Sequence, residues 1–292
     1  MVKTWLTQAI SRSMGELTGF RPVRKYPFVE RDFRYRKNLK ILSSILSKKY
    51  LKTKSVPAGH DQIADSELYS LWQTIPGGHK WCHYFPFYDE VLSKFRSRPV
   101  KLLEVGVFRG ATLALWRKYH HPETVIVGID INPDATRFDD PNSNVHVRIG
   151  DQSDREFLNE VVKQFGPFDI IIDDGSHIVS HMITTFDHLF LDGLVPGGLY
   201  IVEDLHTNYW DSHRDRQVSF VDLARELVDV MHSPYWQSQS AEFRVGDERR
   251  LISMELPQIA REIKEIRFRD SLILFERASE LRLPVAVVQP DP

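Results

Sequence analysis

Between Pro99 and Asp204 the chain repeats one device: a short apolar run closing on an acid or an acid-glycine pair, then a stretch with helical spacing. The runs are Val100-Lys101-Leu102-Leu103-Glu104-Val105, Val125-Ile126-Val127-Gly128-Ile129-Asp130, His146-Val147-Arg148-Ile149-Gly150, Phe168-Asp169-Ile170-Ile171-Ile172-Asp173 and Leu199-Tyr200-Ile201-Val202-Glu203. Several are apolar on both faces, which predicts parallel strands covered on both sides by the intervening helices. Residues 111–119, 154–165 and 181–190 supply those helices. The predicted fold class is α/β, a doubly wound, mostly parallel sheet. Residues 259–267 and 271–276, joined by a tight turn at Arg269-Asp270, predict a closing pair that brings an antiparallel strand to its edge.

In an open α/β sheet, ligands bind beyond the carboxyl ends of the strands, so the terminal acids converge on one crevice. In Glu104-Val105-Gly106-Val107-Phe108-Arg109-Gly110 the glycines let the loop approach a ligand just before a helix begins. A dinucleotide fingerprint has its first glycine where Glu104 stands, so a pyrophosphate is disfavoured. An acid there suits a cation, such as the ammonium of a methionine-like tail, met directly or through water. Asp130 is placed to accept ribose hydroxyls, and Asp151 to accept from an adenine amino group. Each acid has a plainer alternative, capping the next turn or helix.

The fourth and fifth runs carry the sharpest signal. Asp173-Asp174-Gly175-Ser176-His177 closes one and Glu203-Asp204 the other, gathering carboxylates and a histidine at one rim. Like charges at close range repel unless a cation sits among them. Oxygen donors without thiolates indicate Mg²⁺ or a similar hard divalent ion, whereas zinc favours histidine or cysteine. Helix capping and pairing with arginines form the competing account.

The rest of the chain sets boundaries. Its 292 residues, 42% hydrophobic and 11% aromatic, are ample for a buried core, and a net charge of −2 gives no general attraction to nucleic acid. Cys82 is the only cysteine, so no intrachain disulfide forms and a reducing, cytoplasmic setting is expected. No apolar run is long enough to span a bilayer, and no signal-peptide pattern is read at the start. Residues 1–60 are expected to form a basic helical N-terminal extension. Within it Leu6, Ile10, Met14 and Leu17 recur at helical spacing and need an apolar surface, predicting a homo-oligomer; residues 21–54 hold twelve Lys or Arg against Glu30 and Asp32, read as a solvated basic face. Residues 61–98 are an aromatic-rich adaptor or lid segment around Pro76-Gly77-Gly78, residues 99–280 the catalytic domain, and 281–292 a loose tail.

At these motifs the chain resembles the metal-dependent sugar O-methyltransferases, class I S-adenosylmethionine enzymes with a Rossmann-like fold, typified by the mycinamicin-pathway enzyme. The matching residues are Glu104-Val105-Gly106 with Gly110; Gly150-Asp151-Gln152-Ser153-Asp154; Asp173-Asp174-Gly175-Ser176-His177 with His181 and Phe186; Pro196 through Asp204; and Lys80-Trp81-Cys82-His83-Tyr84 with Tyr88. The resemblance implies S-adenosylmethionine held by Glu104, Gly106, Gly110, Asp130, Asp151, Gln152 and Asp173. It further implies Mg²⁺ held by Asp174, Glu203 and Asp204, with His177 as the base that deprotonates a sugar hydroxyl. His181 is expected to pack, and His83 and His206 have no assigned role. The acceptor is then a glycoside, oligosaccharide or glycosylated natural product. A catechol-like acceptor, a non-catalytic S-adenosylmethionine-binding module and a nucleotide-dependent oxidoreductase are the competing classes.

Overall fold

The computed structural model describes residues 40–52, 65–234 and 255–282. The segment holding Leu6, Ile10, Met14 and Leu17, most of the basic stretch, and residues 283–292 of the expected tail lie outside the described residues.

Seven strands form one sheet: β1 Lys101–Val105, β2 Val125–Asp130, β3 Val145–Ile149, β4 Phe168–Asp173, β5 Leu194–Val202, β6 Ile263–Arg269 and β7 Leu272–Arg277, in the spatial order β3-β2-β1-β4-β5-β7-β6. The first five pair in parallel, and β7 is antiparallel to both β5 and β6. Alternation along each strand sorts the side chains onto two faces. Leu102, Ile126, Ile170, Ile172 and Ile201 bury against α1 (Glu67–Trp72), α2 (Tyr84–Leu92) and α3 (Ala111–Tyr119). Leu103, Val127, Ile171, Tyr200 and Phe275 bury against α4 (Arg155–Phe165), α5 (Val179–Asp192) and α6 (Phe220–Met231). The aromatic segment ahead of β1 therefore shares a core with the sheet: Leu68, Tyr84, Phe85, Tyr88 and Leu92 are all at most 1% exposed.

Local signals account for the element ends. Asp154 caps α4 by accepting from the amides of Glu156 and Phe157, and Ser219 with Asp222 makes a capping box at α6. Two boundaries differ from the sequence reading. Residues 259–262, expected as strand, belong to the short helix α7 (Gln258–Glu262), because Ile259 and Ala260 pack side by side into the core behind Pro257 instead of alternating across a sheet. Strand β5 begins at Leu194, ahead of the expected Leu199, since its register against β4 slips between Phe168 and Ile170 and absorbs Pro196-Gly197-Gly198 as an irregularity.

The strand order reverses at β1, whose neighbours are β2 on one side and β4 on the other. This switch point is where an open α/β sheet leaves a crevice beyond its carboxyl edge. Val105 is paired with Asp173 there, so the glycine loop and the Asp-Asp-Gly loop emerge side by side. No described helix is long and apolar enough to cross a membrane.

Candidate active site

A cleft of about 240 Å³ opens at the switch point, lined by Gly106, Phe108 and Thr112 from the glycine loop and α3, by Asp174, Gly175 and His177 after β4, and by Glu203 and Asp204 after β5. Residues ahead of α2, among them His79, Lys80 and Trp81, form the opposing wall.

On the glycine-loop side, Gly106 has φ +96° and lies so close to the next loop that a Cβ would stand 2.2 Å from the Asp174 carbonyl oxygen. Only glycine satisfies both constraints. Glu104 beneath it is fully buried, and neither carboxylate oxygen receives a hydrogen bond of normal geometry among the described residues. Burial raises its pKa to about 8; Lys80 opposes the shift, Asp174 adds to it, the Thr112 hydroxyl opposes it, and Glu203 adds to it. A buried carboxylate without a hydrogen-bond partner thus lies beside a backbone position where no side chain fits.

The other expected cofactor residues have work inside the protein. Asp130 accepts from the amides of Val107 and Phe108 at 2.9 and 2.8 Å through Oδ2, and from Asn132 at 2.8 Å through Oδ1, so it clamps the glycine loop from β2. Asp151 closes a turn on the amide and hydroxyl of Ser153, both at 2.8 Å. Gln152, 7% exposed, donates to Asp173 and Thr185 and accepts from the Ser176 amide at 2.7 Å, pinning the Asp-Asp-Gly-Ser-His loop. Asp173 is buried beneath that loop, where desolvation lifts its pKa to about 7. Of the seven positions expected to hold the cofactor, Gly106 lines this cleft; Glu104, Gln152 and Asp173 are buried, and Asp130 and Asp151 are half-buried outside its lining. Gly110, at φ +72°, starts α3 with the Phe138 ring 2.4 Å from where a Cβ would lie.

At the acid cluster, Asp174, His177 and Asp204 present ligand atoms all within 4.8 Å of one another. His177 Nε2 lies 3.8 Å from Asp174 Oδ1 and 3.6 Å from Asp204 Oδ2, too far for hydrogen bonds and suited to a group inserted between them. His177 and Asp204 have φ of +55° and +53°, a conformation that costs free energy and concentrates at functional sites. Glu203 is the exception among the expected metal ligands. It is 1% exposed and its Oε1 is engaged by Lys80 Nζ at 2.5 Å and by the Tyr88 hydroxyl, although the residue still lines the cleft.

Lys80, which has no role in the sequence pattern, gains one in the structure. Its side chain is 1% exposed, and its ammonium also bonds Asp174 Oδ2 at 3.1 Å. Burial by itself would lower its pKa; Asp174, Glu203 and Glu104 outweigh that and hold it charged. Tyr84 donates to Asp204 Oδ1 at 2.8 Å, so α2 reaches both acids of the Glu-Asp pair. A lysine followed within eight residues by Trp81, Tyr84, Phe85, Phe87 and Tyr88 was the available signal. His181, expected to pack, bonds the Ser176 hydroxyl at 3.0 Å through Nδ1, and His206 bonds the Ser271 hydroxyl at 2.6 Å.

The fold is a methyltransferase fold. The structure is similar to the MycE methyltransferase from the mycinamycin biosynthetic pathway, solved in complex with Mg, SAH and mycinamycin VI, with a TM-score of 0.59 and 28% identity over 73% of this chain and 53% of that one. In sequence the chain resembles sugar O-methyltransferases of glycosylated natural products. It is 37% identical over 177 residues to the 8-demethyl-8-alpha-L-rhamnosyl tetracenomycin-C 2'-O-methyltransferase of Streptomyces olivaceus, covering 56% of this chain and 46% of that protein. It is 40% identical over 153 residues to the mycinamicin VI 2''-O-methyltransferase of Micromonospora griseorubida, covering 50% and 37%. With the demethylmacrocin O-methyltransferase of Streptomyces fradiae it shares 39% over 180 residues, covering 57% and 44%. The chain thus spans about half the length, or less, of the curated relatives it matches. No protein-family model matches it.

Proposed function

We propose that this chain is an S-adenosylmethionine-dependent, Mg²⁺-dependent O-methyltransferase acting on a sugar hydroxyl of a glycoside. The observation that carries the reading is the convergence of Asp174, His177 and Asp204 at one cleft with the unpaired buried carboxylate of Glu104 behind its glycine loop. Similarity to sugar O-methyltransferases and to MycE in complex with Mg and SAH supports it.

The residues fit both groups. The Gly106 cradle and Glu104 suit the cationic amino-acid tail of the cofactor, and the oxygen-rich set of Asp174, Asp204 and Glu203 suits a hard divalent ion. When bound, the cofactor supplies an electrophilic methyl group and the ion supplies positive charge beside the acceptor hydroxyl. His177 Nε2, facing the acid pair, takes the hydroxyl proton as general base. Asp130 holds the cofactor loop by its amides, while Gln152 fixes the loop that carries Asp174 and His177. A homo-oligomeric assembly and a cytoplasmic location belong to the same reading; the exposed, unpaired Cys82 is in keeping with the latter.

Calorimetry with S-adenosylhomocysteine and Mn²⁺, followed by methyl-transfer assays on unmethylated glycosides and on catechol, tests the assignment. Turnover on a glycoside that EDTA abolishes is expected. His177→Ala should keep both ligands and lose about 10²–10⁴-fold in rate, with no rescue by added metal. Full activity in EDTA would remove the metal from the reaction, and turnover confined to catechol would move the acceptor out of the sugar class.

A further inference from the structure

We propose that Trp81, His206 and Trp210 form the subsite that receives the glycosyl ring of the acceptor, an inference that rests on the methyl-transfer reading above. Trp81 and Trp210 leave 46% and 48% of their surface in water, and they do so together in one patch rather than singly. They are joined into one ladder. The Trp81 and His206 rings lie 5.5 Å apart, His206 and Trp210 4.7 Å, and Trp210 and His213 5.8 Å. His213 in turn stands 6.4 Å from His177. The ladder therefore runs continuously from open solvent to the proposed base, and Trp81 and His177 line the same cleft.

The chain holds this surface rigidly against the acids. His206 and Trp210 lie on and just beyond the short 3-10 helix Leu205–Tyr209, which follows Asp204 directly. The hairpin turn between β6 and β7 braces it: Ser271 accepts from the Leu205 amide at 3.1 Å through its carbonyl, and its hydroxyl meets the His206 amide at 3.2 Å and ring at 2.6 Å. A ring seated on the ladder is thereby fixed relative to Asp204 and His177.

The chemistry points to a neutral sugar. A pyranose presents an apolar C–H face to indole and keeps its hydroxyls at the edge, where polar groups reach them. Among the described residues, two cations near the ladder are engaged: Lys80 is held by Asp174 and Glu203, and Arg214, 8% exposed, donates to the carbonyls of Arg216 and Gln217. A phosphorylated or nucleotide-linked sugar would find neither free. Continuity with the catalytic cleft likewise favours the acceptor over a second protein as the occupant.

The test uses the full chain with Mg²⁺ and S-adenosylhomocysteine, titrated by NMR with methyl α-L-rhamnopyranoside, alongside steady-state kinetics on the preferred glycoside. Trp210→Ala and Trp81→Ala should each raise Kd and KM by about 10-fold, as expected for a lost aromatic contact, with Trp210→Phe retaining most of the affinity. Affinity for S-adenosylhomocysteine should be unchanged, which certifies the fold; if Trp210→Ala loses it, Trp81→Ala and Trp210→Phe carry the comparison. Unaltered Kd and KM in folded variants would overturn the subsite while leaving the enzymatic assignment standing. Unaltered glycoside binding with lost self-association would assign the ladder to a protein interface instead. A wild-type protein that methylates no glycoside would defeat the functional reading, and the subsite with it.

Discussion

Lys80 shows how one buried charge makes a cluster of acids foldable. Asp174, Glu203 and Glu104 all act on its ammonium, and Tyr88 shares the Glu203 oxygen that Lys80 contacts. Such a set is costly to dehydrate, and removing this cation leaves the carboxylates without its compensation. Lys80→Met is expected to lower stability by roughly 3–5 kcal/mol near pH 8 and by clearly less near pH 5, where the acids neutralise themselves by taking up protons. Chemical denaturation at the two pH values measures the difference. Equal losses at both would mean that Lys80 contributes packing and not charge.

At the scale of elements, the site is two loops pressed together at the ends of β1 and β4. The Asp174 amide donates to the Val105 carbonyl at 2.9 Å, and Gly106 passes directly over the Asp174 carbonyl. A methyl group at position 106 would therefore displace the proposed cofactor loop and the proposed metal loop at once. Gly77 provides the control: its φ of +74° is similar, yet nothing lies within 4 Å of an added Cβ. Gly77→Ala should show backbone strain alone, about 1–2 kcal/mol. Gly106→Ala should cost more and weaken both S-adenosylhomocysteine and Mn²⁺ binding in calorimetry. Equal effects of the two variants would mean that the loops yield to each other freely.

For the whole molecule, the buried acids set a pH dependence of unusual sign. Burial lifts Glu104 to about 8 and Asp173 to about 7, and burial with Asp174 also raises Glu203. The folded chain then keeps protons that the unfolded chain has already lost, so stability is greatest below the usual carboxylate range and falls as pH rises toward 8. His120, buried and lowered to about 4, with Arg117 and Arg96 adding to the effect, works in the opposite direction between about 4 and 6.5. The decline should accordingly be steepest between about pH 5.5 and 7.5 and fade above about 8, by at most roughly 2–3 kcal/mol for each fully buried acid. Denaturation across that window without divalent ions should show the fall. Glu104→Gln should reduce it, and saturating Mn²⁺ should flatten it; stability that climbs through this window would contradict the assignment.

The sheet was legible in the sequence because strand burial is written locally: β2 and β4 span the expected apolar runs, and α3 spans its expected helix. The closing strands were legible too, except at 259–262, where local pattern cannot tell two apolar neighbours packing under a helix from the start of a strand. The acids and His177 could be named because each ends a run or lies in a short loop after it. Their division of labour could not. Asp130 and Gln152 also hold the backbone amides of Val107, Phe108 and Ser176, more than twenty residues away, which only the folded loops bring within reach. Glu203 and Asp204 are adjacent in the chain, but β5 directs Glu203 toward Lys80 and Tyr88 and Asp204 toward His177. Neighbours in sequence leave a strand end in different directions, and partners separated by more than a hundred residues meet only once the sheet has closed.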